Sequence, residues 1–588
     1  MSKFAAVAER AAQICAALVA FIFLTSGVIY LYLGRWTVTI ADYWRLYDIC
    51  LNHTWLESAL YKHGGHSLFF PSFFWLMDLR FFHGNQELLF IAGLTLLFIT
   101  AGLLLVPVWR DQTVGLSAKM LSTLVLIVGN FWMGRAAITA CGGFNCICSL
   151  IMACAALAFL LVPKMCATSP GFLSATLIVV LAGFVASFSF GAGLAIWPTL
   201  LFLAWCLRFP TYSVLLLALA GLIAATVLVL LPPHLDWRFP ITADVAFVWF
   251  CRLLGNPVSY AAFAWWPDKF YAQLLQSSDL AVFSGAIGLA LALVAVLPKI
   301  VRRNVQKSGL EFTGLALMVF NLSVIAIIVA GRANHFRTVP NEVAAPRYLF
   351  WSTLFWTGLL LIAIQCAQSK LWLRWPVYLV ALALPVLAFP AHYKSGLNTR
   401  WARYLGESAA TSLVNGVRDE QQVKILWLWP KEIYRVAEQL RVRRLDMFAD
   451  GLQDWIGINE ASLFGGRHER EGLNGQCSVE ALVESDNGAP AARVTGEMWK
   501  RGHIVPKTLV IVDPTGMIRG VARSSAIFSE NRFINRTFYL SKFTSSRFLG
   551  YIRDYNPQLQ YAVRSADDRI LSEEKVLVGV PATNSANP

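Results

Sequence analysis

Charge is what this chain has least of. Only 14% of its 588 residues are Asp, Glu, Lys or Arg, against about a quarter in an ordinary soluble domain. That scarcity excludes a solvated globular chain, and 57% hydrophobic residues with a mean hydropathy of +0.56 argue the same way. Patterned cysteine is missing too. The eleven cysteines are scattered, and only Cys141, Cys146 and Cys148 in CGGFNCIC stand close together. No His lies near enough to complete the converging ligands of a zinc site. They read as small polarizable residues packed between helices, or as a Cys141–Cys146 disulfide if the turn faces an oxidising compartment. An internal repeat is also absent, whereas transporters often show two similar halves. No small-residue cleavage site follows the first apolar run, where Gly34-Arg35-Trp36 stands. That run is too long for a signal-peptide core, so it reads as an uncleaved span.

What the chain does have is apolar runs of about 18–22 residues, enough to cross a hydrocarbon core as helices. Eleven are expected, near 11–33, 88–108, 119–134, 147–163, 172–190, 193–207, 212–231, 279–298, 310–330, 349–366 and 375–391. The net charge of +14 suggests nucleic acid until its placement is followed. Lys3, Arg10, Arg110, Lys119, Lys164, Arg208, Lys299, Arg302, Arg303, Lys307, Lys370 and Arg374 all fall on one side of that topology. This is the positive-inside bias. It predicts a cytoplasmic N-terminus, no nucleic-acid partner, and an outer position for everything after about 392. The expected fold is a polytopic α-helical membrane module over 1–391, followed over 392–588 by a small α/β part and a β-sandwich. In the tail, VKILWLW and PKEIYRVAEQLRVRRL read as a strand and then a helix. KTLVIVDPTGMIRGVAR reads as a β-hairpin turning at Asp513–Gly516.

Connections on the cytoplasmic side are short, whereas 35–87, 232–278 and the tail are large, so chemistry is expected on the outer face. In the first of these, TIADYWRLYD places Asp42 and Asp48 among aromatics just past the first span, in a stretch that reads as interfacial helices. A carboxylate at the membrane rim can act as general base towards a hydroxyl arriving from outside. Asp42 leads, and Asp48, six residues on, points elsewhere and either supports it or is merely solvated. His63 and His66 flank a glycine turn in KHGGHS, where they can ligate a metal, donate to a phosphate or orient Asp42. In the loop before the tenth span, Arg347 and Tyr348 of NEVAAPRYLFW join Arg332, His335 and Arg337 as an anion site, since a guanidinium fork matches two phosphate oxygens. FGAGLAIWP, 190–198, can line a cavity or pack helices. Arg238 and Asp244 are further candidates to touch substrate.

The acidic-aromatic D-x-W helix after a first span, the H-x-x-H turn and helix that follow, and a late outer loop ending in Arg347-Tyr348 resemble the polyprenyl-phosphate-dependent glycosyltransferases of the GT-C superfamily. The whole chain resembles bacterial type IV pilin arabinosyltransferases and, distantly, mycobacterial arabinosyltransferases. GEMWKRGHIVPKTLVIVDPTGMIRGVAR is similar to a strand pair of their periplasmic carbohydrate-binding-like domain. The chain departs from them in lacking an acid and an arginine in His63-Gly64-Gly65-His66-Ser67, and in Glu497-Met498 where a Trp-Ala pair is usual. The resemblance implies a GT-C membrane module, a catalytic base at Asp42 and a donor-phosphate contact at Arg347. It further implies a polyprenyl-phosphate-linked sugar donor, such as one carrying arabinofuranose, and a periplasmic glycan or protein acceptor. Room is left for a divalent cation, with no cofactor assigned. Two other classes fit the same spans: a transporter or flippase of lipid-linked sugars, and a membrane-anchored glycan-binding assembly protein.

Overall fold

The computed structural model describes residues 3–135, 141–165, 171–231, 242–267, 279–302, 309–466, 468–469, 473–500, 507–525, 546–566, 570–572 and 575–579. Arg238, Arg303 and Lys307 lie outside them. The chain forms two compact units, one of residues 1–35, 54–74 and 89–399, the other of 36–53, 75–88 and 400–588.

The chain up to Val414 is mainly helical. Eight helices of the chain are long and apolar enough to cross a membrane, and three shorter apolar ones, Leu116–Phe131, Phe172–Ser187 and Gly191–Cys206, accompany them. These coincide with the eleven runs read from the sequence, and the chain is a multi-pass membrane protein. The helices are α1 (Lys3–Gly34), α2 (Tyr43–Asn52), α3 (Trp55–Leu60), α4 (Phe69–Phe81), α5 (Glu87–Arg110), α6 (Leu116–Phe131), α7 (Gly143–Leu161), α8 (Phe172–Ser187), α9 (Ile196–Cys206), α10 (Thr211–Leu230), α11 (Ala243–Phe263), α12 (Asp279–Arg302), α13 (Leu310–Thr338), α14 (Leu349–Ser369) and α15 (Leu371–Val414). Helix α11 is the unexpected one, since its residues belong to a stretch read as loop. Arg252 and Asn256 interrupt its apolar sequence, yet both are buried. It packs on α12 through Gly255 and Gly285, where a Cβ would come within 1.8 Å of the carbonyl oxygens of Ala281 and Cys251. Small residues permit such close backbone approach between membrane helices. Cys141, Cys146 and Cys148 are buried and form no disulfide with one another.

In the second unit the β-rich domain is present, but its strands close into one sheet where a sandwich of two was expected. Strands β5 (Leu473–Ser485), β6 (Pro490–Lys500), β9 (Ser546–Arg553), β8 (Ile518–Ser524), β7 (Thr508–Val512), β10 (Ala562–Ser565) and β12 (Val576–Gly579) pair in that order, and β12 then pairs with β5 through Val578 and Cys477. Alternating apolar residues mark strands but do not reveal which edges meet. Val479, Val494, Leu509, Ile511, Phe548 and Ile552 fill a core cluster of this closed sheet. The β7–β8 hairpin turns at Asp513–Gly516 as expected, with Asp513 Oδ1 accepting from the Thr515 and Met517 amides. VKILWLW corrects the strand reading: Glu420–Leu426 is helix α16, followed by α17 at Pro430–Arg443. Asp419 caps α16 by accepting from the Gln422 amide, and the buried Val423 and Leu426 are spaced three apart, as a helix requires.

Candidate functional site

In the first unit the turn predicted around KHGGHS is a tight hairpin. Strands β1 (Lys62–His63) and β2 (His66–Ser67) pair His63 with His66, and Gly64 and Gly65 take φ values of +56° and +82°, the geometry of a two-residue type I′ turn. Lys62 is buried and its ammonium donates to the carbonyls of Leu228 and Leu231 at the end of α10. The hairpin is thereby pinned by a cation at a helix C-terminus, where carbonyls lack partners.

That anchoring presents His66 to two other elements. Its ring lies 4.0 Å, centroid to centroid, from Phe190. A Cβ on Gly191 would fall 2.8 Å from His66 Nδ1, so only glycine lets this turn approach the imidazole. Across the ring, Arg332 Nη2 lies 3.4 Å from His66 Nε2. Burial first, then the Arg332 and His63 charges, pull the His66 pKa down to about 3, so the imidazole is neutral at ordinary pH. Because guanidinium only donates, Nε2 is the acceptor and Nδ1 carries the hydrogen.

Arg332 and His335 are three residues apart on α13 and share a face; Arg337 is exposed, five residues from Arg332. His335 lies within electrostatic reach of Arg332, Glu342 and Arg347. Arg347 is ion-paired with Glu342 and sits 5.0 Å from the ring centroid of the buried Tyr348. The loop carrying this pair is held by α11, where Asn256 Nδ2 donates to Val343 O and Tyr260 OH to Ala344 O, each at 2.9 Å. His63, His66, Arg332, His335, Arg347 and Tyr348 thus gather in one neighbourhood of the membrane unit. Glu342, Lys62 and α11 are the parts that sequence reading missed. A lone acid five residues before Arg347 was the available signal for the first; nothing marked the second.

Asp42 and Asp48 belong to the second unit. Asp42 is exposed at the N-cap of α2, and its side chain does not cap the helix. The residue before it, Ala41, is held in the left-handed region at φ 61°, where a residue with a Cβ is strained, and its amide donates to Leu426 O at 2.6 Å. Two fork-like ion pairs fasten α2 to α17: Arg45 to both Glu432 oxygens at 2.9 Å, and Arg435 to both Asp48 oxygens at 2.7 Å. Tyr43 stacks on Trp75 with 5.5 Å between centroids, and Trp44 and Tyr47 are fully buried. Asp48 therefore fixes the helix that begins at Asp42.

Behind α2 lies a buried acid pair that the sequence did not announce. Asp446 Oδ2 accepts from the Thr39 amide at 3.0 Å, and its own amide donates to His83 O at 2.6 Å. Asp78 accepts from the amides of Gln86 and Leu88, and the Gln86 side chain donates to Tyr47 OH at 2.9 Å. Burial, reinforced by the charge of Asp78, pushes Asp446 up to about 7. Burial likewise raises Asp78 to about 6, against the backbone donors that lower it.

Among the described residues, no three His, Cys, Asp or Glu side chains gather in a group able to hold a metal ion. Arginine and imidazole donors predominate in the cluster around Arg332, which suits an anion.

The fold and these residues define a multi-pass membrane protein with a C-terminal closed β-sheet and a basic, histidine-containing cluster at the end of a membrane-length helix. Neither the family models nor the curated proteins compared with the chain match it. Among solved structures it is similar to the archaeal oligosaccharyltransferase AglB from Archaeoglobus fulgidus in complex with an inhibitory peptide and a dolichol-phosphate. Identity is 14%, the TM-score is 0.33, and the match covers 71% of this chain and 60% of that one. A superposition that loose does not define a shared fold.

Proposed function

We propose that the chain is a membrane glycosyltransferase of the GT-C kind, moving a sugar from a polyprenyl-phosphate donor to an acceptor hydroxyl outside the cytoplasmic membrane. One observation carries the reading: the membrane unit collects Arg332, His335, Arg347 and a neutral His66 near the end of α13. Ionisable residues are rare within membrane spans and mark ion or headgroup sites. A lipid-linked phosphate, anionic at the membrane rim and apolar below it, is the ligand such a cluster suits.

In this reaction Asp42 is the base, taking the proton from the acceptor hydroxyl as its oxygen attacks the anomeric carbon. The bond from that carbon to the phosphate oxygen breaks, and the lipid phosphate departs with the electron pair and inverts the centre. Developing charge on the leaving phosphate is met by Arg332 and Arg347, preorganised donors of the kind that stabilise transition states. Arabinofuranose as the sugar and pilin or a surface polysaccharide as acceptor come from the sequence resemblance. So do the periplasmic position of the β-rich unit and the bacterial inner membrane.

The test uses the full chain in proteoliposomes, with transfer and donor binding read separately. Asp42→Asn is expected to abolish transfer while polyprenyl phosphate still binds. Arg332→Ala is expected to weaken that binding about tenfold or more, the equivalent of roughly 1.4 kcal/mol. Near-normal turnover by Asp42→Asn would sink the assignment of the base, and unchanged lipid-phosphate binding by Arg332→Ala would sink that of the phosphate site.

A further inference from the structure

The loop joining α16 to α17 exposes what a soluble surface would hide. Its sequence, KILWLWPK, sets six residues without charge between Lys424 and Lys431. Ile425, Leu428 and Trp429 stand 40%, 70% and 56% exposed, and both lysines are exposed beside them. Val423, Leu426 and Ile433 turn inward, so the loop has a packed inner side and a bare apolar outer one.

The protrusion is rigidly rooted. Asp419, at the start of α16, accepts from Arg493 Nη1 at 2.7 Å and from Tyr551 OH at 2.9 Å, which ties it to β6 and β9 of the closed sheet. Trp427 Nε1 donates to Glu432 Oε2 at 3.2 Å, and Arg45 lies over the Trp427 ring. Exposure of three large apolar side chains on so fixed a loop needs an occupant.

We infer that this loop is a membrane-surface anchor: Ile425, Leu428 and Trp429 enter the interfacial layer of the bilayer, and Lys424 and Lys431 reach lipid phosphates. Tryptophan and flanking lysine are the residues that settle at headgroup depth, and lysines near anionic lipid add to the attraction. The chain supplies the proximity. This unit's first segment starts at Trp36, just after the membrane-length helix that ends at Gly34, and its second ends at Leu88, inside the helix that begins at Glu87. Chain connections that short hold the bilayer at high effective concentration for this unit's surface. Since the Ala41 amide bonds to Leu426 O, the anchor also sets the depth of the neighbouring Asp42. That consequence rests on the proposed function; the docking does not.

The experiment places a nitroxide at Leu428→Cys in the full chain, with the exposed Cys15 and Cys366 changed to serine and the unmutated parent as labelling background. The protein is reconstituted in nanodiscs containing an anionic lipid. Leu482, 69% exposed on β5, gives the control label. The label at 428 is expected to collide with oxygen several-fold more, relative to an aqueous nickel chelate, than the label at 482. Equal aqueous access at the two positions overturns the anchor. Loss of access to both reagents at 428 overturns it too, since protein would then be the cover. Trp429→Cys repeats the measurement should Leu428→Cys fail to fold, and no arm requires transferase activity.

Discussion

Replacing Asp446 by Asn isolates the cost of keeping an acid behind helix α2. The Asp446 carboxyl is buried, accepts the Thr39 amide and has its pKa raised by burial to about 7. In the unfolded chain an aspartate titrates near 3.9. Between about pH 4 and pH 7 the folded protein therefore keeps a proton that the unfolded chain has released. Stability contributed by this group is greatest on the acid side and falls as pH rises, until the folded carboxyl also ionises near 7. At 1.36 kcal/mol per pH unit the loss is roughly 4 kcal/mol, and Asp78, raised to about 6, adds to the same slope. For a unit of this size each kcal/mol moves the melting midpoint by roughly 2–4 °C, so a fall on the order of 10 °C is expected from pH 5 to pH 8. Asparagine retains an oxygen for the Thr39 amide but cannot ionise, so the Asp446→Asn midpoint should vary much less. The assay is thermal unfolding of the detergent-solubilised full chain across that pH range. Parallel curves for wild type and variant would refute the buried-acid argument.

Two further perturbations follow from packing. Gly191→Ala pushes a methyl towards His66 Nδ1, which leaves 2.8 Å for it; shifting that imidazole should cost a polar contact of about 1–2 kcal/mol, read as a roughly tenfold rise in donor KM with the melting midpoint little changed. Glu407→Gln strips the buried carboxylate that accepts from Thr37, Arg403 and Lys507. Two cations then lose their counter-charge, so a loss of about 3–5 kcal/mol should appear as a lower midpoint, with partial recovery when Lys507→Met is added.

The helical part of this chain was legible because membrane spans advertise themselves by composition: all eleven expected runs are helices. Helix α11 escaped because Arg252 and Asn256 break its hydropathy while burial hides them. The β-rich tail was readable as strands, and the β7–β8 hairpin down to its turn, but sheet closure depends on the pairing of Val578 with Cys477, a contact between residues a hundred positions apart. VKILWLW looks like a strand because its apolar run is continuous and the helix cap, Asp419, lies four residues before it. For the site, residue types pointed to His66, Arg332 and Arg347, whereas the Asp78–Asp446 pair joins positions that no local motif connects.

The fastening of α2 to α17 also has a bearing on time. Arg45 and Glu432 are separated by 387 residues, as are Asp48 and Arg435. At ordinary synthesis rates of about 5–20 residues per second, the second partner of each pair emerges roughly 20–80 s after the first. During that interval the ribosome makes every intervening hydrophobic helix, while the segment bearing Asp42 waits without its clasp. Helix α2, which begins at Asp42, is thus fastened only after those helices have been made.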